Sequence, residues 1–297
     1  MSVDPKSTLR LIMPQWQGGN DPAYRVGAGV LAAILPPPEG PVETIAVAEA
    51  AQDARPEERG IVMRSALLDL LDQARAAIAR HTPEAIVTVG GDCLVDLAPI
   101  AYLGERYGDD LAVIWVDAHP DVMSAREFPH AHAHVLAMLM GDGDPDFVAA
   151  VPRPIEPARV LHVGLTETLP HEESYLRDRG MARLSPEDLG GSAEPVLDWL
   201  RGSGATKVAV HFDLDVLSPA SHDYLLFNKP GLPEGAFDGV AKGRMGFAEV
   251  ASILEAVARE SDVVGLAITE FLPWSMIDLG RNLATLPLLS KPGEIAG

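Results

Sequence analysis

The sequence predicts an α/β fold built on a mainly parallel sheet with helices on both faces, and three observations carry that prediction. Short apolar runs alternate along the chain with stretches of helical spacing, the order that builds parallel strands joined by helical crossovers. The run Ala112 to Val116 is apolar without interruption, as a strand buried on both faces must be. Several such runs end abruptly in acids (Asp92, Asp117, Asp213, Glu270), and open α/β sheets bind ligands at the carboxyl ends of their strands.

Leu9 to Met13 reads as the first strand, followed by a turn-rich loop, Pro14-Gln-Trp-Gln-Gly-Gly-Asn20. Val26 to Leu35 reads as a helix stopped by Pro36, Pro37 and Pro38, and Thr44 to Val47 as a second strand. Apolar residues at 62, 66, 67, 70, 71, 74 and 78 predict a helix over 60–79. Ile86 to Val89 is a strand running into Gly90-Gly-Asp-Cys93, with a helix over Leu94 to Tyr107. After the central strand and a loop holding His130, His132 and His134, a helix is expected over Val135 to Met140.

The strand Val160 to Leu165 and helices Glu172 to Arg179 and Pro195 to Arg201 lead to the strand Lys207 to Leu214. A helix over Phe247 to Arg259, a strand over Val263 to Thr269 and a helix from Met276 to Leu289 close the chain. Ser218 to Arg244 breaks the rhythm, with three prolines, four glycines and no clear period. An irregular segment of that length reads as a lid over a site. No repeat or linker divides residues 1–297, so one α/β domain with a lid-like insertion at 218–244 is expected.

The 297 residues carry 23 Lys plus Arg against 43 Asp plus Glu, a formal charge of -20. That balance argues against nucleic acid and anionic membrane as partners and suits small cationic ligands. The longest uncharged apolar stretch, residues 26–38, is short of the ~20 residues a membrane span needs. The start lacks the order of a secretory signal. Cys93 is the single cysteine, so a cytoplasmic, reducing setting is expected.

Asp117-Ala-His-Pro-Asp121 places carboxylate, imidazole and carboxylate at alternate positions after a strand, and Asp213-Leu-Asp215 repeats the device. Pooling the strand ends gathers Asp92, Asp117, Asp121, Asp213, Asp215, Glu270, His119 and Cys93 around one crevice. So many carboxylates repel one another unless cations are present. Two divalent ions resolve the repulsion, oxygen-rich donors favour Mn²⁺ over Zn²⁺, and ions ~3.5–4 Å apart share a water whose pKa they lower.

Gly-Gly-Asp-x at 90, Trp-Val-Asp-Ala-His-x-Asp at 115, Phe-Asp-x-Asp at 212 and Thr-Glu-x-x-Pro at 269 resemble the ureohydrolase family, the arginases, agmatinases and their relatives. The motifs recur in the family's order from Gly90 to Pro273, most of the chain. The resemblance implies a three-layer α/β/α sandwich, a two-Mn²⁺ centre, and hydrolysis of a guanidino or amidino group by a metal-bridging hydroxide, releasing urea or a urea-like product. It implies that Asp117 and Asp213 bridge the ions, that Asp121 and Cys93 complete one, and that His119 and Asp215 complete the other. It further implies that Glu270 pairs with a small cationic guanidino-type substrate, that His134 shuttles protons, and that the chain forms a trimer or hexamer.

Departures from the pattern define the open questions. Cys93 stands where the family has a histidine ligand, and a thiolate is a poor match for Mn²⁺. The same change resembles the branch that cleaves N-hydroxyarginine to hydroxyurea and ornithine. His130 and His132 stand where arginases hold a substrate carboxylate, and Glu172 matches an acid that grips an amino group. Leu169 stands where a second such acid is usual, which speaks against free L-arginine as substrate. His211 replaces the usual serine and reads as a satisfied core or outer-shell histidine, and Trp115 and Trp274 read as packing residues. Two competing readings remain: a non-catalytic relative with a degenerate metal site, and a zinc deacetylase-like amide hydrolase.

Overall fold

The computed structural model describes residues 3–48 and 55–283. The chain runs β1 (Thr8–Met13), α1 (Ala23–Ile34), β2 (Val42–Thr44), β3 (Glu57–Glu58), β4 (Ile61–Val62), α2 (Arg64–His81), β5 (Ala85–Gly90) and α3 (Leu97–Tyr107). It continues through β6 (Leu111–Val116), α4 (Val135–Leu139), α5 (Pro145–Val148), β7 (Val160–Val163), α6 (Pro170–Asp178) and β8 (Ala182–Leu184). Last come α7 (Pro186–Leu189), α8 (Glu194–Ser203), β9 (Lys207–Asp213), α9 (Phe247–Glu260), β10 (Asp262–Thr269) and α10 (Trp274–Leu283). Eight strands form one sheet in the order β2-β1-β5-β10-β9-β6-β7-β8. Every pairing in it is parallel. β3 and β4 form a separate antiparallel ribbon.

The sheet is covered on both faces, and β6 shows why its sequence is apolar throughout. All six of its residues are buried. Leu111, Val113 and Trp115 pack with Leu67, Leu97 and Leu136 from α2, α3 and α4 on one face. Ala112, Ile114 and Val116 pack with Val196, Leu200, Val250 and Val257 from α8 and α9 on the other. The two-residue period of a strand sends neighbours to opposite faces, so a strand between two helical layers has no polar position to spare. The result is a three-layer α/β/α arrangement, as the sequence predicted.

Several boundaries differ from the sequence reading for physical reasons. The helix expected over 60–79 starts only at Arg64, because Ile61 and Val62 pair with Glu58 and Glu57 first. The one expected over 94–107 opens as a tighter 3-10 turn, Cys93–Asp96, before α3. The strand expected over 44–47 lies at Val42–Thr44. β8 was not foreseen: three partly or fully exposed edge residues, the middle one Arg183, carry no apolar period to read. The part of the expected helix from 284 to Leu289 lies outside the described residues.

The central strands β5, β10, β9 and β6 are contiguous although far apart in sequence, and they carry Cys93, Glu270, Asp213 and Asp117 at or just beyond their carboxyl ends. Gly91 makes that convergence possible. A Cβ there would lie 1.8 Å from the Gln15 carbonyl oxygen, and the Gly91 carbonyl accepts the Glu270 N–H at 2.8 Å. Only glycine lets the β1, β5 and β10 ends close so tightly.

Candidate metal centre

Two of the strand ends use the same local device. At β6, the Asp117 Oδ1 accepts the His119 backbone N–H at 2.7 Å; at β9, the Asp213 Oδ1 accepts the Asp215 N–H at 2.7 Å. Aspartate favours such turns because its short side chain bonds the backbone two residues on. The turn brings residue i+2 beside residue i, so His119 and Asp215 converge. The His119 Nδ1 lies 3.1 Å from Asp215 Oδ2 and 3.5 Å from Asp117 Oδ1. The Trp115 Nε1–H donates to Asp117 Oδ2 at 3.1 Å, so Trp115 orients a site carboxylate as well as filling the core.

Asp121 and Glu270 both sit in left-handed backbone conformations, at φ +52° and +62°. For residues with a Cβ this costs on the order of 1–3 kcal/mol each, and the surroundings hold them there. The Asp121 carbonyl accepts the Leu136 N–H at 3.1 Å at the start of α4, and the Glu270 N–H is held by Gly91. Strain at two adjoining acidic positions marks a functional region.

Among the described residues, three groups of side chains have ligand-type atoms within 4.8 Å of one another: Cys93, Asp117, Asp121 and His211; Cys93, Asp213 and Glu270; and Asp117, His119 and Asp215. Asp117 belongs to two of them. Asp121 Oδ2 and Asp215 Oδ1 are buried without a hydrogen-bond partner among the described residues. Buried unpaired carboxylate oxygens are costly, and a divalent cation is the partner that satisfies several at once. The donor set therefore fits divalent metal ions.

Hydrogen bonds link the side chains of the cage to one another. The Cys93 thiol donates to Asp213 Oδ2 at 2.8 Å and lies 3.5 Å from Glu270 Oε1. Burial, then the Asp213 and Glu270 charges, push that thiol well above its ordinary pKa. Burial also lifts Asp121, Asp213 and Glu270 well above the carboxylate range, with the neighbouring carboxylates adding to it. His119 moves the other way from most buried imidazoles. Burial disfavours its charge, yet Asp215 and Asp117 together raise its pKa well above the usual value. Burial likewise opposes ionisation of Asp215, but His119 outweighs it and Asp215 stays below the ordinary range.

Above the cage lies a cavity of about 570 Å³. Cys93, His119, Asp121, Asp213, Asp215 and Glu270 line its floor, and His130, His132 and Glu172 its wall. The irregular segment supplies another wall, Leu226, Phe227, Phe237 and Val240, and its Ala241 carbonyl bonds the His119 Nε2 at 3.1 Å.

The remaining sequence candidates are placed as follows. The His134 Nε2 is committed to the Phe128 carbonyl at 2.8 Å, the ring is buried, and it is not among the cavity-lining residues. The imidazole that faces the cavity from this turn is His132, its Nδ1 on the Gly18 carbonyl at 2.8 Å. The 3-10 turn over Ala131–His134 carries His134 off the wall that His130 and His132 share, a distinction that spacing alone did not make. One Glu172 oxygen is spent on the Leu169 N–H at 2.7 Å, at the start of α6. Asp92, pooled with the cage in the sequence reading, is turned away. Gln15 Nε2, the Gly18 and Gly19 N–H groups and the Leu94 N–H all donate to it, so it organises the loop after β1. Tyr24, which the sequence did not single out, donates its hydroxyl to Glu270 Oε2 at 3.1 Å.

A parallel α/β sheet with acids, an imidazole and a thiol gathered at its central carboxyl edge defines an α/β protein with a candidate metal site. The model of the arginase family matches residues 50–279, and the chain belongs to the arginase family. Among curated relatives, an arginase from Eremothecium gossypii is 27% identical over 212 residues, 68% of this chain and 49% of that protein. The match thus spans about half of that relative's length. An arginase from Schizosaccharomyces pombe is 25% identical over 235 residues, 73% of this chain and 69% of the relative. Of solved structures, an Entamoeba histolytica arginase in complex with L-ornithine superposes with a TM-score of 0.73 at 19% identity, covering 92% of this chain and 93% of that one. The proclavaminate amidino hydrolase of Streptomyces clavuligerus gives 0.59 at 19% identity, covering 92% and 87%. These likenesses support the fold.

Proposed function

We propose that the chain hydrolyses a guanidino or amidino C–N bond of a small linear cation, with two divalent ions, Mn²⁺ foremost, held at the β6 and β9 ends. The observation that carries this reading is Asp117 shared between two ligand groups whose Cys93, Asp121, His119 and Asp215 line the floor of an acidic cavity. Asp117 and Asp213 would be common to both ions, His119 and Asp215 would hold one, and Asp121 and Cys93 the other. Ions so held would supply a nucleophilic hydroxide at neutral pH and Lewis-acid stabilisation of developing charge.

The chain's own residues define the rest. Glu270, oriented by Tyr24, faces the cavity as the partner for a guanidinium's planar N–H donors, which a carboxylate accepts in pairs. An arriving cation favours its ionised form. His132, on the wall, exchanges a proton with the leaving amine in place of His134, and His130 and Glu172 contact the far end of the substrate. Residues 218–244 act as the cover: Phe227 and Phe237 exclude water, and the Ala241–His119 hydrogen bond couples the cover to the ion-binding edge. Leu169, on the wall and exposed, favours substrates without a free α-amino group. Family membership supports assembly into a trimer or hexamer, which light scattering would measure.

Asp117→Asn and Asp213→Asn should each abolish both Mn²⁺ binding and turnover of a panel comprising arginine, N-hydroxyarginine, agmatine and guanidinobutyrate. Undiminished release of urea or hydroxyurea by either variant would sink the proposal.

A further inference from the structure

The group formed by Cys93, Asp117 and Asp121 has a fourth member, His211, which the sequence reading took for a satisfied core or outer-shell histidine. His211 lies on β9 two residues before Asp213, so both project from the same side of the strand. The ring is wholly buried. It stacks on Trp115 with centroids 3.8 Å apart and planes 13° apart, which fixes its orientation.

The two ring nitrogens differ sharply. Nδ1 lies 2.8 Å from Asp96 Oδ2, in the turn that follows Cys93, and that carboxylate is itself buried. A carboxylate on Nδ1 takes its hydrogen and leaves the lone pair on Nε2, the arrangement by which outer carboxylates prepare imidazoles for metals. The Nε2 is buried with no hydrogen-bond partner among the described residues. A ring nitrogen of His211 lies within 4.8 Å of the ligand atoms of Cys93, Asp117 and Asp121, and with Nδ1 committed to Asp96 the uncommitted one is Nε2. Asp121 Oδ2, in the same group, is also unpartnered. Leaving a buried polar atom unsatisfied costs about 1–3 kcal/mol, so two such atoms in one cluster call for a shared partner.

We propose that His211, through Nε2, is a direct ligand of the metal ion held by Cys93, Asp117 and Asp121. The proposal rests on the two-ion reading above and adds to it. The ion's donor set becomes three carboxylates (Asp117, Asp121 and Asp213), one imidazole and one sulfur, and Asp96 becomes the positioning residue that holds the ring. With nitrogen and sulfur both present, this position is softer than the Asp117/His119/Asp215 position and should favour Zn²⁺ or Co²⁺ more strongly.

The test is metal content and affinity, read independently of turnover. His211→Asn keeps an amide donor toward Asp96 and removes Nε2. Wild-type protein loaded with Mn²⁺ should hold two ions per chain by elemental analysis, and His211→Asn one, with the remaining ion bound at wild-type affinity by calorimetry. Loss of a direct ligand should weaken the second ion by more than the 10- to 100-fold typical of an outer partner. Asp96→Asn should fall within about that 10- to 100-fold range, and it carries the same test should the first variant not fold. Cys93→His placed in the His211→Asn background should restore the second ion by returning an imidazole to the group. Two ions at wild-type affinity in His211→Asn would overturn the assignment while leaving the proposed activity standing. Two ions, lost as described, in a protein that cleaves no guanidino compound would support the assignment and overturn the activity. A wild-type chain that binds no divalent ion would overturn both.

Discussion

Replacing His162 with glutamine should flatten the acid limb of the protein's stability profile. His162 lies in β7, completely buried, with Nε2 at 3.3 Å from the Pro120 carbonyl just before the Asp121 turn. Burial pulls its pKa down to about 4, against ~6.5 for the unfolded chain. Above pH ~6.5 the ring is neutral in both states and contributes no pH dependence. Below it the unfolded chain takes up a proton that the folded protein refuses, so stability falls as pH drops from ~6.5 toward 4. Two and a half units of separation give a loss of about 2 kcal/mol at pH 5 and about 3 kcal/mol at pH 4. The buried carboxylates act in the opposite sense. Asp92, raised to about 6 by burial, destabilises the fold as pH rises through that window. The informative quantity is therefore the difference between wild type and variant. Urea unfolding of metal-free protein at pH 7, 6, 5 and 4 should show wild type losing about 3 kcal/mol relative to His162→Gln across the series. Parallel profiles would refute the reasoning, because they would mean the buried ring is protonated as readily as a free one.

Other predictions follow from the same geometry. Apparent Mn²⁺ affinity should rise with pH, because ions must displace protons from His119 and the Cys93 thiol, both raised in the metal-free protein. Each proton displaced gives up to about tenfold per pH unit, and calorimetric titrations at three pH values would read the slope. Tyr24→Phe removes the hydroxyl on Glu270; a hydrogen bond to a charged group is worth about 1.5–3 kcal/mol, so kcat/KM should fall about 10- to 100-fold with metal content unchanged. Arg64→Ala should destabilise the fold by about 3–5 kcal/mol without altering metal stoichiometry, since Arg64 forms a buried two-pronged pair with Asp144 (2.9 and 2.7 Å), and Asp144 would keep only backbone N–H partners and no cation. Equal thermal midpoints for Arg64→Ala and wild type would contradict that account.

What could be read from the sequence followed the range over which each rule acts. The apolar run 112–116 told its own story, because burial on both faces leaves no polar residue in a strand. The Asp-x-His and Asp-x-Asp turns were legible for the same reason, since the bond that shapes each spans two residues. Tyr24 was invisible because its contact with Glu270 crosses 246 positions. Asp92 misled because its position after a strand matched the cage while its partners, Gln15, Gly18 and Gly19, lie more than 70 residues away. His211 shows the limit most clearly. Spacing placed it on the face of Asp213, and an inward imidazole on a buried strand reads as core. Its meaning depends on β9 lying beside β6, which sets Trp115 against its ring, and on the turn after β5, which brings Asp96 to its Nδ1. A cysteine at position 93 looks like a lost imidazole only while the strands are taken one at a time. With β5, β10, β9 and β6 side by side, an imidazole reaches the same point from beneath.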